Sequence, residues 1–381
     1  MIKLDNIKMP LDHSREDLYE KVCNILKKEP EEWYIYKKAV DARKKTDICF
    51  VYSVVIKVPK EDILIRRLEN AKIFTEEVFN YPTLKKKLDK RPVVIGSGPA
   101  GTFAALCLAK AGARPLIIER GKKVSQRTKD VDNFFLGGKL NSNSNVQFGE
   151  GGAGTFSDGK LNTGTSSPYL RNVLNEYVNM GAPCEIKIDA KPHIGTDILK
   201  VVAENFRKEI ASCGGEYLFE SKVSEIEIKD GRIEAVYAPD KIEVSGVILA
   251  IGHSARDTFS MLKSHGVNII QKPFSVGLRI EHPQSLINKA QFGKMANHPA
   301  LPAADYKLSD ECYTFCMCPG GYVVAAASEE DKIVTNGMSF SGRDGENANS
   351  ALLVNVGAED FGSEDALAGV WFQQDIESKA F

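Results

Sequence analysis

A chain of 381 residues with 43% hydrophobic content and a net charge of −1 is long enough for two or three domains around sizeable cores. The near-neutral balance excludes a global pull toward nucleic acid or anionic membrane, and no apolar run approaches the ~20 residues of a membrane helix. Met1-Ile-Lys-Leu-Asp-Asn lacks the apolar centre of a signal peptide, and the 8 scattered cysteines read as reduced thiols, so a cytoplasmic location is expected.

The first ninety residues read as a small α+β unit. Ile2 to Ile7 alternates like a strand, and Ser14 caps a helix whose Leu18, Val22, Ile25 and Leu26 share one face. Trp33–Val40 and Ile48–Val58 are β-rich runs joined by the charged tip Asp41-Ala-Arg-Lys-Lys-Thr-Asp47. The order β, α, β, β predicts a ferredoxin-like sandwich. Residues 1–91 carry 21 Lys or Arg against 16 Asp or Glu, which either is a solvated face or meets an acidic partner or RNA. No aromatic residues interleave with the basic ones in the manner of RNA-binding surfaces.

The next run is the most specific. Val93-Val-Ile95 leads directly into Gly96-Ser-Gly-Pro-Ala-Gly101, a helical pattern follows, and a second apolar run, Pro115–Ile118, ends at Glu119. A G-x-G-x-x-G between strand and helix, with an acid 18 residues after its last glycine, marks a dinucleotide site. The first glycine permits the tight turn, the second admits a pyrophosphate, and the third lets helix and strand pack closely. The helix N-terminus supplies free N–H groups for the phosphates.

Downstream, Gly149-Glu-Gly-Gly-Ala-Gly-Thr-Phe-Ser-Asp-Gly-Lys160 is too glycine-dense for a regular element. Its interspersed Phe156 and neighbouring Phe148 and Leu161 argue for a loop that lines a site. Ile198–Ala211 is an amphipathic helix stopped by Cys213-Gly-Gly215. Glu216–Val223 reads as a strand, and Ser224–Ile228 and Ile233–Tyr237 form a hairpin on an Asp-Gly turn. Lys241–Val244 is a further short strand, and Val247–Gly252 reads as a strand buried in a parallel sheet. Phe274–Ile280, Gly321–Ala326 and Lys332–Asn336 suggest an antiparallel sheet. Cys316–Gly321 and Ser339–Ser350 read as loops, and Leu367–Phe381 as a helix.

These motifs resemble one family. Gly96-Ser-Gly-Pro-Ala-Gly101 with Glu119-Arg-Gly121 is similar to the FAD half of glutathione-reductase-like flavoproteins. The 149–160 loop, Ala250-Ile-Gly-His-Ser-Ala-Arg-Asp257, Cys316-Met-Cys-Pro-Gly-Gly321 and Asn336-Gly-Met-Ser-Phe340 resemble the bacterial NAD(P)/FAD-dependent oxidoreductases. The resemblance implies an α/β fold: a small N-terminal α+β domain (1–90), a Rossmann-like FAD domain (91–267), and an inserted, mostly antiparallel β substrate domain (268–381). Gly96, Ser97, Gly98, Pro99, Ala100 and Gly101 would hold the pyrophosphate, and Glu119 the ribose with Arg120 and Gly121 beside it. Arg127 with Gly151, Gly152 and Ala153 would line the FAD channel. Val223 would meet adenine through its backbone, and Ala250, Ile251 and Gly252 would close over the cofactor.

The resemblance also implies a C-terminally truncated chain. No late strand leading into a Gly-Asp pair is apparent, since Gly345-Glu346 and Glu359-Asp360 read as lacking one. A central sheet short of a strand and weakened or lost FAD binding are therefore expected.

For the chemistry, FAD would carry the hydride. No second strand-flanked fingerprint exists, so NAD(P)H would bind only transiently, as a candidate electron donor, to a dehydrogenase whose small-molecule substrate the sequence does not name. The candidate catalytic residues are His253, Lys160, Cys316 and Cys318, with Arg279 and Arg343 as further polar groups. His253 would be an acid/base or a structural histidine. Cys316 and Cys318 would be a redox pair, part of a metal set with Cys312, or small residues packed under the Pro319 turn. The tight spacing is unlike a zinc site, and no metal is assigned. An RNA-modifying flavoprotein is the remaining alternative, testable by salt-dependent retention of RNA.

Overall fold

The computed structural model describes residues 1–76, 78–161, 163–165 and 167–381. Its first strand, β1 (Ile2–Met9), buries Ile2 and Leu4, then Ile7 and Met9, in one core. The alternation changes phase because a bulge between Leu4 and Ile7 holds Asn6 at φ 60°. Helix α1 (Arg15–Leu26) begins at Ser14. The Ser14 Oγ accepts from the Asp17 N–H at 3.1 Å, and the Asp17 carboxylate accepts from the Ser14 N–H at 2.7 Å. β2 (Glu32–Asp41), β3 (Cys49–Lys57), α2 (Glu61–Arg67) and β4 (Ala71–Ile73) follow. The sheet order β2-β3-β1-β4, antiparallel throughout, is the ferredoxin-like arrangement. The elements α2 and β4 are too short and too polar to be read from periodicity.

The second sheet is parallel. β5 (Pro92–Ile95), α3 (Pro99–Lys110) and β6 (Leu116–Ile118) form the expected βαβ unit. Three helices follow: α4 (Val124–Phe135), α5 (Leu170–Asn179) and α6 (Thr196–Ser212). β7 (Glu216–Leu218) then pairs with β6, and its regular pairing is shorter than the expected run to Val223. The meander β8 (Glu225–Lys229), β9 (Arg232–Tyr237) and β10 (Lys241–Glu243) returns the chain to β11 (Gly246–Leu249), and α7 (Arg256–Ser264) follows. Successive side chains of β5 and β6 face opposite ways. Val94 and Ile117 join α3 and α6 in one core, and Val93, Ile95 and Ile118 join the meander and α7 in another.

The order β11-β5-β6-β7 puts β11 at an edge. This corrects the expected fully buried strand: Ile248 and Leu249 are 39% and 44% exposed. An apolar run alone cannot separate a central strand from an edge strand that packs on one side.

The rest of the chain builds β12 (Phe274–Pro283), α8 (Gln284–Phe292), β13 (Tyr313–Cys318), β14 (Tyr322–Ala325), β15 (Thr335–Met338), β16 (Asn347–Val356) and α9 (Ala368–Ala380). The pairings β12-β16-β13 and β14-β15 are antiparallel. Two expected loops are corrected, because Cys316–Cys318 ends β13 and Asn347–Ser350 opens β16. The polar Asn349 and Ser350 lie fully buried on that strand, so its composition reads as a turn. The Gly357–Asp360 segment also has a strand before it, contrary to expectation, but β16 belongs to the antiparallel sheet. Among the described residues, no helix is long and apolar enough to cross a membrane.

Candidate functional site

The carboxyl ends of β5, β6 and β11 converge on a cleft of about 440 Å³. The chain leaves β5 for β6 on one side and returns as β11 on the other. A cleft outside such a crossing point is where open α/β sheets bind ligands. Gly96 turns at φ 100°, and a Cβ there would stand 2.4 Å from the Ala250 carbonyl oxygen. A Cβ on Gly101 would stand 1.9 Å from the Gly96 carbonyl oxygen, so α3 packs on the turn only through a bare backbone. Gly98, by contrast, faces open space on the cleft side, with Gly152 the nearest neighbour at 3.7 Å from its Cβ position. Gly98 is also the N-cap of α3 and has no side chain to cap it, so the first N–H groups of the helix remain available. This bare, donor-lined cradle fits a pyrophosphate and therefore the ADP half of FAD.

Gly96, Gly98, Pro99, Ala100, Glu119, Arg120, Gly152, Ala153, Val223, Ala250, Ile251 and Gly252 line the cleft. Ser97, Gly101, Gly121 and Gly151 stand behind this wall. Glu119 is buried and already saturated. Its Oε2 accepts from the Ser97 N–H and Oγ at 2.8 and 2.9 Å, and its Oε1 from the Gly121 and Gly149 N–H groups at 2.9 and 3.1 Å. One carboxylate thus pins the fingerprint turn to the start of the glycine-rich loop. Arg120 lies over the Phe148 ring and donates to Asp257 at 2.8 Å and Thr258 at 3.0 Å at the rim.

Arg127 needs correction. It does not line a channel; its side chain is 0% exposed on α4. Its guanidinium donates to the carbonyls of Asn145, Val146, Gly149 and Glu150 at 2.8, 2.9, 3.3 and 2.6 Å. It also stacks on Phe156. Burial brings its pKa down to about 10, so it remains a cation. Arg127 orders the loop from behind. Glu150, which the sequence did not single out, does the same from the loop side, accepting from the Val124 N–H at 2.7 Å and from Arg207 at 2.6 Å.

The loop delivers Lys160 to a second constellation. Its Nζ lies 2.8 Å from Asp158, 3.9 Å from the Cys316 Sγ and 3.5 Å from the Cys318 Sγ. Arg343 donates to the same Asp158 oxygen at 2.6 Å, and the Ser339 hydroxyl donates to its partner oxygen. Burial opposes charge on Asp158, yet Lys160 and Arg343 outweigh it and hold its carboxyl below the ordinary range. Arg279 donates to the Cys316 carbonyl at 3.3 Å and to Asn349 at 2.5 Å. The Asn349 amide nitrogen and the Arg343 Nε are buried donors with no partner among the described residues. The neighbouring Cys318, with the Lys160 and Arg279 cations behind it, overcomes burial and holds the Cys316 thiol well below its ordinary value. The adjacent Cys316 and burial push Cys318 up.

The four candidate catalytic residues therefore separate. Lys160, Cys316 and Cys318 meet, whereas His253 lines the fingerprint cleft beside Ser254. Desolvation at the cleft wall and the Arg256 cation hold its imidazole below the ordinary value. Asp158 and Asn349 were missed as site residues. The Ser157-Asp-Gly159 stretch inside the glycine-rich loop was the available signal for Asp158, and Asn349 had none.

Comparison with known proteins places three family models on the chain. They are a domain of unknown function over residues 1–57, an FAD binding domain over 90–131, and a C-terminal domain-like region of FAD-dependent proteins over 273–381. An uncharacterized protein of Clostridium beijerinckii is 47% identical over 394 residues, spanning 100% of this chain and 74% of its own length. Among solved structures, glycine oxidase from Geobacillus kaustophilus shares 13% identity at a TM-score of 0.35, covering 72% of each chain. A probable FAD-dependent monooxygenase of Pseudomonas aeruginosa, pqsL, shares 11% at a TM-score of 0.37, covering 70% of this chain and 60% of its own.

Proposed function

The chain belongs to the family of FAD-dependent oxidoreductases, and from that premise we propose that it is a dehydrogenase with NAD(P)H as a transient electron partner. The bare cradle of Gly96, Gly98 and Gly101 under the uncapped N-terminus of α3 carries this reading. FAD, when bound, supplies the hydride chemistry. The chain's own residues bind and orient it. Ala100 and Gly101 offer N–H groups to the pyrophosphate, Glu119 holds the fingerprint turn against the glycine-rich loop, and Arg120 closes the rim. The units 1–90, 91–267 and 268–381 are read as leading, cofactor and substrate domains. Equilibration with excess FAD followed by anaerobic titration with NADH and NADPH tests this. Bound flavin bleached by one of the two nucleotides is expected. A well-folded protein that retains no flavin at saturating FAD would sink the cofactor assignment, and flavin that neither nucleotide bleaches would remove the electron partner.

A second reading, a thiol redox enzyme using Cys316 and Cys318, is favoured by the single ammonium that Lys160 places against both sulfurs.

A further inference from the structure

Cys316 sits in an unusual backbone. It ends the regular β13–β16 pairing at a bulge between Phe315 and Cys318, and it holds φ at 46°, a left-handed conformation that a non-glycine residue adopts at a cost. Bulges next to functional sites re-aim side chains. Here the bulge brings both sulfurs of a Cys-x-Cys against one lysine ammonium, and the two cysteine side chains interact with each other. Their surroundings differ. Cys316 is partly buried, while Cys318 is fully buried and its thiol donates to the Cys316 carbonyl at 3.3 Å. The charged groups facing the pair are Lys160, Arg279 and Arg343, countered by Asp158, with His193 beside Phe340 at the edge. Cations thus exceed the fixed carboxylate, which is the setting of a reactive thiolate rather than an inert packed cysteine.

The geometry points to Cys316 as a nucleophilic thiolate that opens a low-molecular-weight disulfide, with Cys318 as the thiol that completes the exchange. The Cys316 thiolate attacks one sulfur of the small disulfide. A mixed disulfide forms on Cys316 and one small thiolate leaves. Cys318 then gives its proton to a departing thiolate or to water and attacks the Cys316 sulfur. A Cys316–Cys318 disulfide forms and the second small thiol leaves. The small disulfide gains two electrons and the protein dithiol loses two, so the step balances without any other reagent. This deepens the thiol reading and rests on it; it does not depend on flavin.

The test uses the intact chain, reduced and then freed of reductant, at pH 6. Iodoacetamide labelling with peptide mapping measures each thiol. At that pH an ordinary cysteine is almost wholly protonated, whereas the Lys160 and Arg279 cations beside Cys316 favour its thiolate. Cys316 is therefore expected to label several-fold faster than the exposed Cys184 and Cys312. Equal rates would overturn the thiol reading itself. Lys160→Gln should slow labelling several-fold and Lys160→Arg should restore most of it, a charge dependence that a purely structural lysine would not show.

The aromatic disulfide DTNB then tests the exchange. Expected are two thionitrobenzoate ions released per Cys316 and a Cys316–Cys318 bridge in the non-reduced map, while Cys318→Ser stops at one ion and keeps the adduct. Fast alkylation together with an adduct retained on the wild-type Cys316 would overturn the exchange while leaving the reactive thiolate standing.

Discussion

The fingerprint cleft is made of backbone, whereas the Lys160 cluster is made of side chains that reach in from the glycine-rich loop, β12, β13 and the segment before β16. In the first, function depends on atoms that are missing: a Cβ at Gly101 would overlap a carbonyl oxygen. In the second, it depends on charges that are present: three cations gather around one carboxylate and a pair of thiols. The first should therefore be damaged by adding a methyl group, and the second by removing a charge.

The sharpest challenge to that contrast is Arg127, a side chain on which the backbone-built side relies. Arg127→Met removes a buried cation that donates to four carbonyls and leaves those of Asn145 and Val146 without that donor, and we expect a loss of about 3–5 kcal/mol in urea unfolding. A loss under 1 kcal/mol would mean that the loop is ordered by something else. Next, Gly101→Ala should cost about 2–3 kcal/mol through overpacking and abolish flavin retention, read by absorbance after gel filtration. Retained flavin would break the claim that missing atoms make the cleft. Glu119→Gln should cost about 1–2 kcal/mol, because its amide turns two donors toward N–H groups that now lack an acceptor. The last prediction concerns Asp158 and is read in the slope of a pH profile, which should change only in acid. Its folded carboxyl is held below the ordinary value, so its contribution is present above the ordinary carboxylate range and is lost as pH falls through the folded pKa. Asp158→Asn should flatten the acid limb of a stability–pH profile while leaving its shape near neutrality unchanged. Parallel acid limbs for the two proteins would show that the cluster's charges do not couple to folding.

The same contrast explains what could be read from the residues in order. The fingerprint is local: Gly96 to Glu119 spans one βαβ unit, and each glycine has a steric reason that spacing alone expresses. The leading sandwich was legible for a similar reason, since Ser14, Leu18, Val22 and Leu26 encode a helix start and face within one short stretch. The cluster joins Lys160 to residues more than a hundred positions away, and no periodicity reports that. Lys160, Cys316 and Cys318 stood out by residue type. Their meeting depends on β16, whose opening Asn347-Ala-Asn-Ser350 looks like a turn because its buried polar groups are satisfied or aligned only after folding. His253 was misleading in the opposite direction, because closeness in sequence to an apolar strand placed it at the cofactor cleft and not with the other candidates.

The four carbonyls held by Arg127 have a dynamic consequence. A glycine-rich segment has almost no side chains with which to resist local opening, so its protection is borrowed from the helix that carries the arginine. Residues 145–150 and α4 should therefore open as one cooperative unit, with amide hydrogens exchanging at a shared free energy instead of fraying residue by residue. The loop's rigidity is thus a property of a helix that precedes it in the chain, and the Lys160 end of the loop inherits its precision from there.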